Sequence, residues 1–423
     1  MKKLLFLLLV LSTPLFGAEK SAITADPIHG NDVAWVMLCA GLVMLMQAGF
    51  ALLESGLTRT KNSVNVLMKN YTDMTFGAII FWAVGYGLMF GQNPTGFFGT
   101  SGFFPDGIEG GLNSHLIFQM VFASTAATIM SGSVAERASY WTYIICTVIL
   151  TGLIYPISGS WVWASDGWLA KMNFHDFAGS TVVHSIGAWS ALAAIIIIGP
   201  RLGRFDKDKK PRKIPGHNLS MVAMGGFILW FGWFGFNGGS TLAITDDIGT
   251  ILLNTHLAGS AGVIGALIYN KIMGKPILIV GAINGGLGGL VAITAGCDAL
   301  SQFSSVITGL VGGAIAVAGG TLLEKMKLDD VVEAIPVHGF AGVWGTLAVG
   351  IFSSKVSLAT QAIGVLAIFA WGFGICFTIY WIVNKVLGLR ADSVSEQRGL
   401  DYSEHYEQGY PEFAHGLHQE IKR

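Results

Sequence analysis

Hydrophobic positions fall into runs of about 20 residues separated by short polar breaks, long enough to cross the hydrocarbon of a bilayer as helices. Eleven spans are predicted, at about 33–54, 74–91, 113–133, 140–162, 177–198, 218–237, 248–269, 276–295, 301–322, 333–352 and 361–386. Residues 1–18 read differently. Lys2-Lys3, an apolar core from Leu4 to Leu11, Pro14 and the small pair Gly17-Ala18 follow the order of a cleavable signal peptide, and the core is too short to span. On this pattern 19–32 is an extracellular N-terminal segment, 33–386 the transmembrane domain and 387–423 a cytoplasmic tail.

Charge placement tests the count. Of 25 Lys and Arg, most lie in every second loop: Arg59, Lys61 and Lys69, then Arg137, then Arg201 to Lys213, Lys271 and Lys275, Lys325 and Lys327, and Lys385 onwards. Lys20, Lys171 and Lys355 fall on the other side. The positive-inside rule therefore sets the mature N-terminus outside and the C-terminus in the cytoplasm, across an inner or plasma membrane. The basic stretch from Arg201 to Lys213 serves as an orientation signal and connector. Gaining or losing one span would scramble the alternation.

Composition agrees with one polytopic all-α membrane protein: 52% hydrophobic, 12% charged, mean hydropathy +0.59. No basic stripe suits nucleic acid. The four cysteines are scattered without metal-ligand spacing and are expected to pack. No GxxxxGK[ST], HExxH or nucleophile elbow occurs, so ATP coupling and hydrolytic chemistry find no seat and no cofactor is expected. Glycines spaced by four (Gly281, Gly285, Gly289; Gly235, Gly239) suit close helix packing.

One stretch has an echo. Asp176 precedes His184 by eight residues, and 154 positions later Asp330 precedes His338 by the same eight. An acid at a helix start is favoured by the helix dipole, and each His then lies about 12 Å further in. With the topology above, span five starts outside and span ten inside. The chain is thus read as two inverted five-helix repeats plus one extra helix, a frequent transporter plan. Val183-His184-Ser185-Ile186-Gly187-Ala188-Trp189 and Val337-His338-Gly339-Phe340-Ala341-Gly342-Val343-Trp344 are the worn copies. Ionisable residues at membrane depth point to function. A lone His more often pins two helices, but a pair in opposed helices points to a pore, with one ring donating an N–H that the other accepts.

Further candidates gather at the outer end: Phe118 and Phe122 in span three, Trp161 and Trp163 in span four, and Trp233, Phe236 and Ser240 in span six. Interfacial aromatics usually form an anchoring belt. Rings from several helices beside a hydroxyl also suit a small cation, worth about 1–2 kcal/mol when partly desolvated, with rings further in forming a hydrophobic constriction.

At these residues the chain resembles the ammonium transporter (Amt) family, in its Amt rather than its Rhesus branch. The motifs are Asp176-Phe177-Ala178-Gly179-Ser180-Thr181-Val182-Val183-His184, Phe231 to Ser240, Asn284 to Cys297, Ile335-Pro336-Val337-His338-Gly339, Gln47 to Glu54 and Ala135-Glu136-Arg137, over roughly residues 32–410. The resemblance implies a homotrimer with one pore per subunit. It assigns Phe122, Trp163 and Ser240 to an outer recruitment site, Phe122 and Phe236 to a phenyl gate, and His184 and His338 to a twin-histidine pair. Asp176 matches the acid needed for ammonium recognition or for holding the site together. The tail, whose Gly399 to His405 stretch can dock, resembles a segment that couples subunits and in many prokaryotic members meets a PII-type regulatory protein. Ser403 falls where related tails are sometimes phosphorylated. Two departures stand out: Val331 replaces a usual proline, and the Trp163 to Asp176 loop is slightly long, which leaves Trp161 a rival for recruitment.

Ammonium and potassium ions are nearly equal in size, so a hole cannot sort them. Deprotonation can, because ammonia crosses a dry lumen while potassium would carry its charge into low dielectric. Selective ammonium uptake, with methylammonium as analogue and with or without net proton transfer, is the first expectation. An ammonium sensor signalling through its tail is the second, and an enzyme ranks behind both.

Overall fold

The computed structural model describes residues 23–413, so the expected signal peptide and the end of the tail lie outside the described residues. Eleven long helices follow in order: α1 Asn31–Leu57; α2 Ser63–Ile80, running on through a π turn (Phe81–Gly85) to Tyr86–Phe90; α3 Gly110–Ser133; α4 Tyr140–Ile149, a π turn (Leu150–Ile154) and Tyr155–Trp163; α5 Ser180–Ile198; α6 Leu219–Gly239; α7 Ile248–Ile272; α8 Ile279–Ile293; α9 Gln302–Lys325; α10 Ile335–Phe352; α11 Leu358–Leu387. Ten are long and apolar enough to cross a membrane, and α8 is a shorter apolar helix of 15 residues. Two short tail helices follow, α12 Ser393–Arg398 and α13 Leu400–His405. Among the described residues there is no strand, only isolated bridges. This is a multi-pass all-α membrane protein.

The eleven predicted spans each find their helix, with one large shift in boundary. The expected second span begins at 74, but α2 begins at Ser63, three turns earlier. Lys69, Asn70 and Asp73 read as loop by hydropathy, yet all three are buried. Asn70 and Asp73 find hydrogen-bond partners on other helices, while the Lys69 ammonium lies over the Tyr143 ring (5.5 Å). Asn70 donates to Glu54 (2.8 Å) and accepts from Thr128 (2.8 Å). Asp73 accepts from Gln47 (2.7 Å) and Tyr143 (2.6 Å). Polar groups removed from water persist in a helix only when partnered in this way.

Chain direction follows from contacts at the helix ends. The backbone N–H of Arg201, just past α5, donates to Asp329, just before α10 (2.9 Å). At the other end, the Thr181 hydroxyl at the start of α5 meets that of Thr346 in the second half of α10 (2.5 Å), and Phe177 and Ala178, just before α5, donate to Ala295 and Thr294, just past α8 (3.0 and 3.1 Å). Helices α5 and α10 are therefore antiparallel, as an inverted repeat of five and five requires, with α11 outside it. The glycine spacing acts where expected at Gly289, where a Cβ would lie 2.3 Å from the Ala258 carbonyl of α7, whereas Gly281 has room for one.

The tail docks against one face, hereafter the tail face. Glu396 accepts from Leu202 N–H (2.7 Å) and Arg390 (2.7 Å), Asp401 from Asn65 N–H (2.8 Å), and Tyr410 meets His217 (2.9 Å). Beneath it lies a buried ion cluster. Asp329 pairs with Arg201 (2.9 Å) and Arg204 (3.2 Å), and Glu136 with Arg59 (2.6 Å) and Arg201 (3.4 Å). The cluster joins the loops between α1 and α2, α3 and α4, α5 and α6, and α9 and α10.

Burial alone would raise the Asp329 carboxyl, but hydrogen bonds from Arg201 and the charges of Arg137 and Arg201 hold it well below the usual carboxylate range. Asp329→Asn leaves buried guanidinium groups short of a partner and should lower the unfolding free energy by about 3 kcal/mol at neutral pH, read by denaturant unfolding in detergent. A depressed native pKa contributes stability above the unfolded value. The gap between wild type and variant should thus be full above about pH 5 and shrink below about pH 4; a gap that widened on acidification would contradict this account.

Candidate functional site

The residues at the head of α5 explain why its histidine is so firmly placed. Asp176 is buried, and its carboxylate accepts four backbone N–H groups: Gly179 (3.1 Å) and Ser180 (2.8 Å) on Oδ1, Thr181 (2.8 Å) and Val182 (2.9 Å) on Oδ2. These are the orphan donors of a helix start, which hydrocarbon leaves without water. Gly179 takes φ 109°, and a Cβ there would fall 2.5 Å from Val183 and 3.2 Å from Trp163. Only glycine fits this turn. The helix then opens as a π turn, Ser180–Ser185, which carries His184. The second copy is built alike: Asp330 accepts the Ile335 N–H (2.8 Å), and the π turn Ile335–Phe340 carries His338. Val331, where a proline is usual, leaves that cap in place. Irregular π turns inside α-helices occur mostly at functional sites.

The two rings meet. His338 Nδ1 lies 3.1 Å from His184 Nδ1, so one nitrogen donates its proton and the other accepts. His184 is wholly buried, and its Nε2 has no hydrogen-bond partner. A column of rings runs through the pair. Trp163 stands edge-on to Phe122 (centroids 6.2 Å), Phe122 stacks on Phe236 (4.0 Å), and Phe236 on His184 (5.2 Å). His184 stacks on His338 (5.2 Å), and Phe50 lies beyond it (6.1 Å). At 4.0 Å the two phenyl rings leave no gap between them.

Each remaining candidate has a definite place. Ser240 is half-buried and donates to the Phe236 carbonyl (2.8 Å), which leaves its oxygen free to accept. Trp163 donates to the Asp176 carbonyl (2.8 Å), so Asp176 orients that ring through its backbone while its carboxylate caps the helix. Trp233 stacks on His184 (5.1 Å) and donates to Thr294 (2.8 Å). Phe118 backs Phe122 (4.7 Å). Trp161 lies apart: it packs on Phe97, Trp168 and Trp371 and donates to the Phe97 carbonyl (2.8 Å). The loop before Asp176 includes a helical turn, Trp168–Lys171, whose Trp168 packs on Trp161 (5.7 Å).

Sequence reasoning gave no role to the far side of the pair. A small cleft of about 20 Å³, room for one water-sized molecule, lies there, lined by Phe50, Leu53, Glu54, Val332 and His338 among others. Phe50 and Glu54 stand in the Gln47 to Glu54 motif, and their four-residue spacing on one helix face is the signal that could have found them.

An inverted repeat whose two halves each send one histidine to a shared, ring-lined core defines a membrane transporter. The match to known proteins gives the particular kind. Residues 34–410 match the model of the Ammonium Transporter Family. Ammonium transporter Amt2 of Archaeoglobus fulgidus is 44% identical over 94% of this chain and 91% of its own length. A putative ammonium transporter of Synechocystis is 45% identical over 90% and 89%. Among solved structures, one named Sensor Amt Protein superposes with a TM-score of 0.85 at 40% identity, covering 88% of this chain and 98% of its own. Candida albicans Mep2 gives 0.81 at 26% identity, with 89% and 91% covered. The chain belongs to the ammonium transporter family, in its Amt branch.

The cap geometry yields a prediction. Asp176→Ala strands four buried N–H groups and should cost at least about 3 kcal/mol in detergent unfolding, whereas Asp176→Asn, which keeps one carbonyl acceptor, should cost less. Equal stability of wild type and the alanine variant would refute a capping role.

Proposed function

We propose that the protein takes up ammonium selectively, with its tail face in the cytoplasm. Ammonium is recruited at the opposite face by Trp163, Phe122 and Ser240, loses a proton that either returns to water at that face or is relayed by the histidine pair, and crosses that pair as ammonia. The observation that carries this reading is the contact of two buried imidazoles at 3.1 Å beside an unpartnered His184 Nε2. That nitrogen offers a hydrogen bond to a small polar molecule and nothing to replace the hydration shell of an ion. The stacked phenyl rings above it favour the same selection, since a neutral molecule can follow a ring displacement that a hydrated cation cannot. The basic loops at the tail face support the orientation.

The assembly we infer is a homotrimer in lipid. Leu38, Met44, Tyr71 and Ile79 project outward from α1 and α2, and a groove of about 760 Å³ lies between these helices. The docked tail is the surface we assign to a PII-type partner. A second reading, a sensor that signals through this tail, is favoured by the tail contacts and by the likeness to a protein named as a sensor. Removing residues 390–423 while a transport-dead pore still signals would decide for it.

His184→Ala and His338→Ala should each abolish selective methylammonium uptake or admit potassium, measured as uptake and current in reconstituted vesicles; normal rate and selectivity in both would overturn the transport reading. Trp163→Ala should raise the half-saturating ammonium concentration about tenfold, and Trp161→Ala by less than about twofold, as loss of one cation–ring contact predicts. The reverse order would move recruitment to Trp161.

A further inference from the structure

The inverted repeat relates α1 to α6, and the ring column makes the relation visible. In α6, Phe236 stacks on His184 (5.2 Å) and Ser240 follows four residues later, one turn nearer the face opposite the tail. In α1, Phe50 lies against His338 (6.1 Å) and Glu54 follows four residues later, one turn nearer the tail face. Residues four apart share a helix face. Glu54 therefore occupies, on the tail side of the histidines, the place that Ser240 occupies on the other side.

The two positions differ in chemistry. Where α6 offers a neutral hydroxyl at a half-buried site, α1 offers a carboxyl that is 1% exposed. Glu54 and His338 are the ionisable side chains lining the tail-side cleft, whose other walls include Phe50, Leu53, Ile129 and Val332. Asn70 Nδ2 donates to Glu54 Oε2 (2.8 Å), and Asn70 is itself fixed by Thr128 (2.8 Å). The carboxyl is thus oriented by a rigid partner, as a binding group has to be. A buried acid that served only to tie α1 to α2 would need no cleft beside it, and an amide would make the same tie.

We propose that Glu54, with the ring face of Phe50, forms a second ammonium site on the tail side of the histidine pair. It holds the cation that forms when ammonia that has crossed takes a proton from water on that side or one relayed by the histidine pair, and sets how strongly ammonium on that side competes for the pore. A carboxylate and an aromatic face together suit a small cation with N–H donors better than either does alone. This inference rests on the transport reading above.

The test separates the two faces. Flux of labelled methylammonium is measured across oriented membranes with the label supplied at one face at a time. Glu54→Gln keeps an acceptor for Asn70 and removes the acid. It should raise the half-saturating concentration at the tail face about tenfold, while that at the opposite face stays within about twofold. Glu54→Asp, which keeps the acid on a shorter stem, should give a smaller rise on the tail side alone. Unchanged tail-side saturation in either folded variant, or an equal shift at both faces as a structural tie would give, overturns the inner site and leaves uptake standing. A wild-type protein that moves no ammonium overturns the transport reading and the inner site with it.

Discussion

The hydrogen bond between His184 and His338 is the constraint on which the architecture turns. It joins two helices that run in opposite directions, so neither can slide or rotate without breaking it. Each ring must arrive at the same depth, and depth is fixed at the helix start. Asp176 and Asp330 supply the acceptors that let those starts sit where no water can reach. Stacking then fixes rotation: Trp233 and Phe236 on one ring, Phe50 on the other. Trp233 is held in turn by Thr294, and the turn carrying Thr294 is the one that receives the backbone of Phe177 and Ala178. The motifs that look separate along the chain are thus one closed loop of contacts around the pair.

A second set of contacts works at the tail face with a different currency. Arg59, Arg137, Arg201 and Arg204 meet Glu136 and Asp329 with little exposure, and the tail is tied to the end of α5 and the loop after it by Glu396 accepting from Leu202 and Arg390 donating to the Ile198 carbonyl. Removing charges from water is costly, so the cluster is better understood as a register lock than as a source of net stability. It fixes the ends of helices whose apolar flanks could otherwise slip.

Much of the fold was legible in the sequence because hydrocarbon imposes a length on every span and because basic loops alternate. The histidine pair was legible because Asp176 to His184 and Asp330 to His338 repeat a spacing. What could not be read is instructive. Asn70 and Asp73 resemble loop residues until their partners on α1, α3 and α4 are known, and those partners are far apart in the chain. Trp161 and Trp163 are two residues apart on one helix, and nothing in composition says which turns toward Phe122. The sequence set Asp176 at a helix start but left capping and ammonium recognition both open, and its four acceptor contacts are what show the cap. Glu54 was overlooked because its motif was legible as a signature without showing what each member touches.

The π turns at the heads of α5 and α10 carry a consequence for how such a protein can vary. Each fits one more residue into its turn than an α-helix would, and one residue turns a helix by about 100°. Losing that residue from either copy would leave a sound, well-packed segment of nearly the same length while swinging the imidazole away from its twin. Substitutions around the histidines are therefore more readily absorbed by the lineage than single-residue deletions, and the two copies are free to diverge in side chains only so long as both keep the same count.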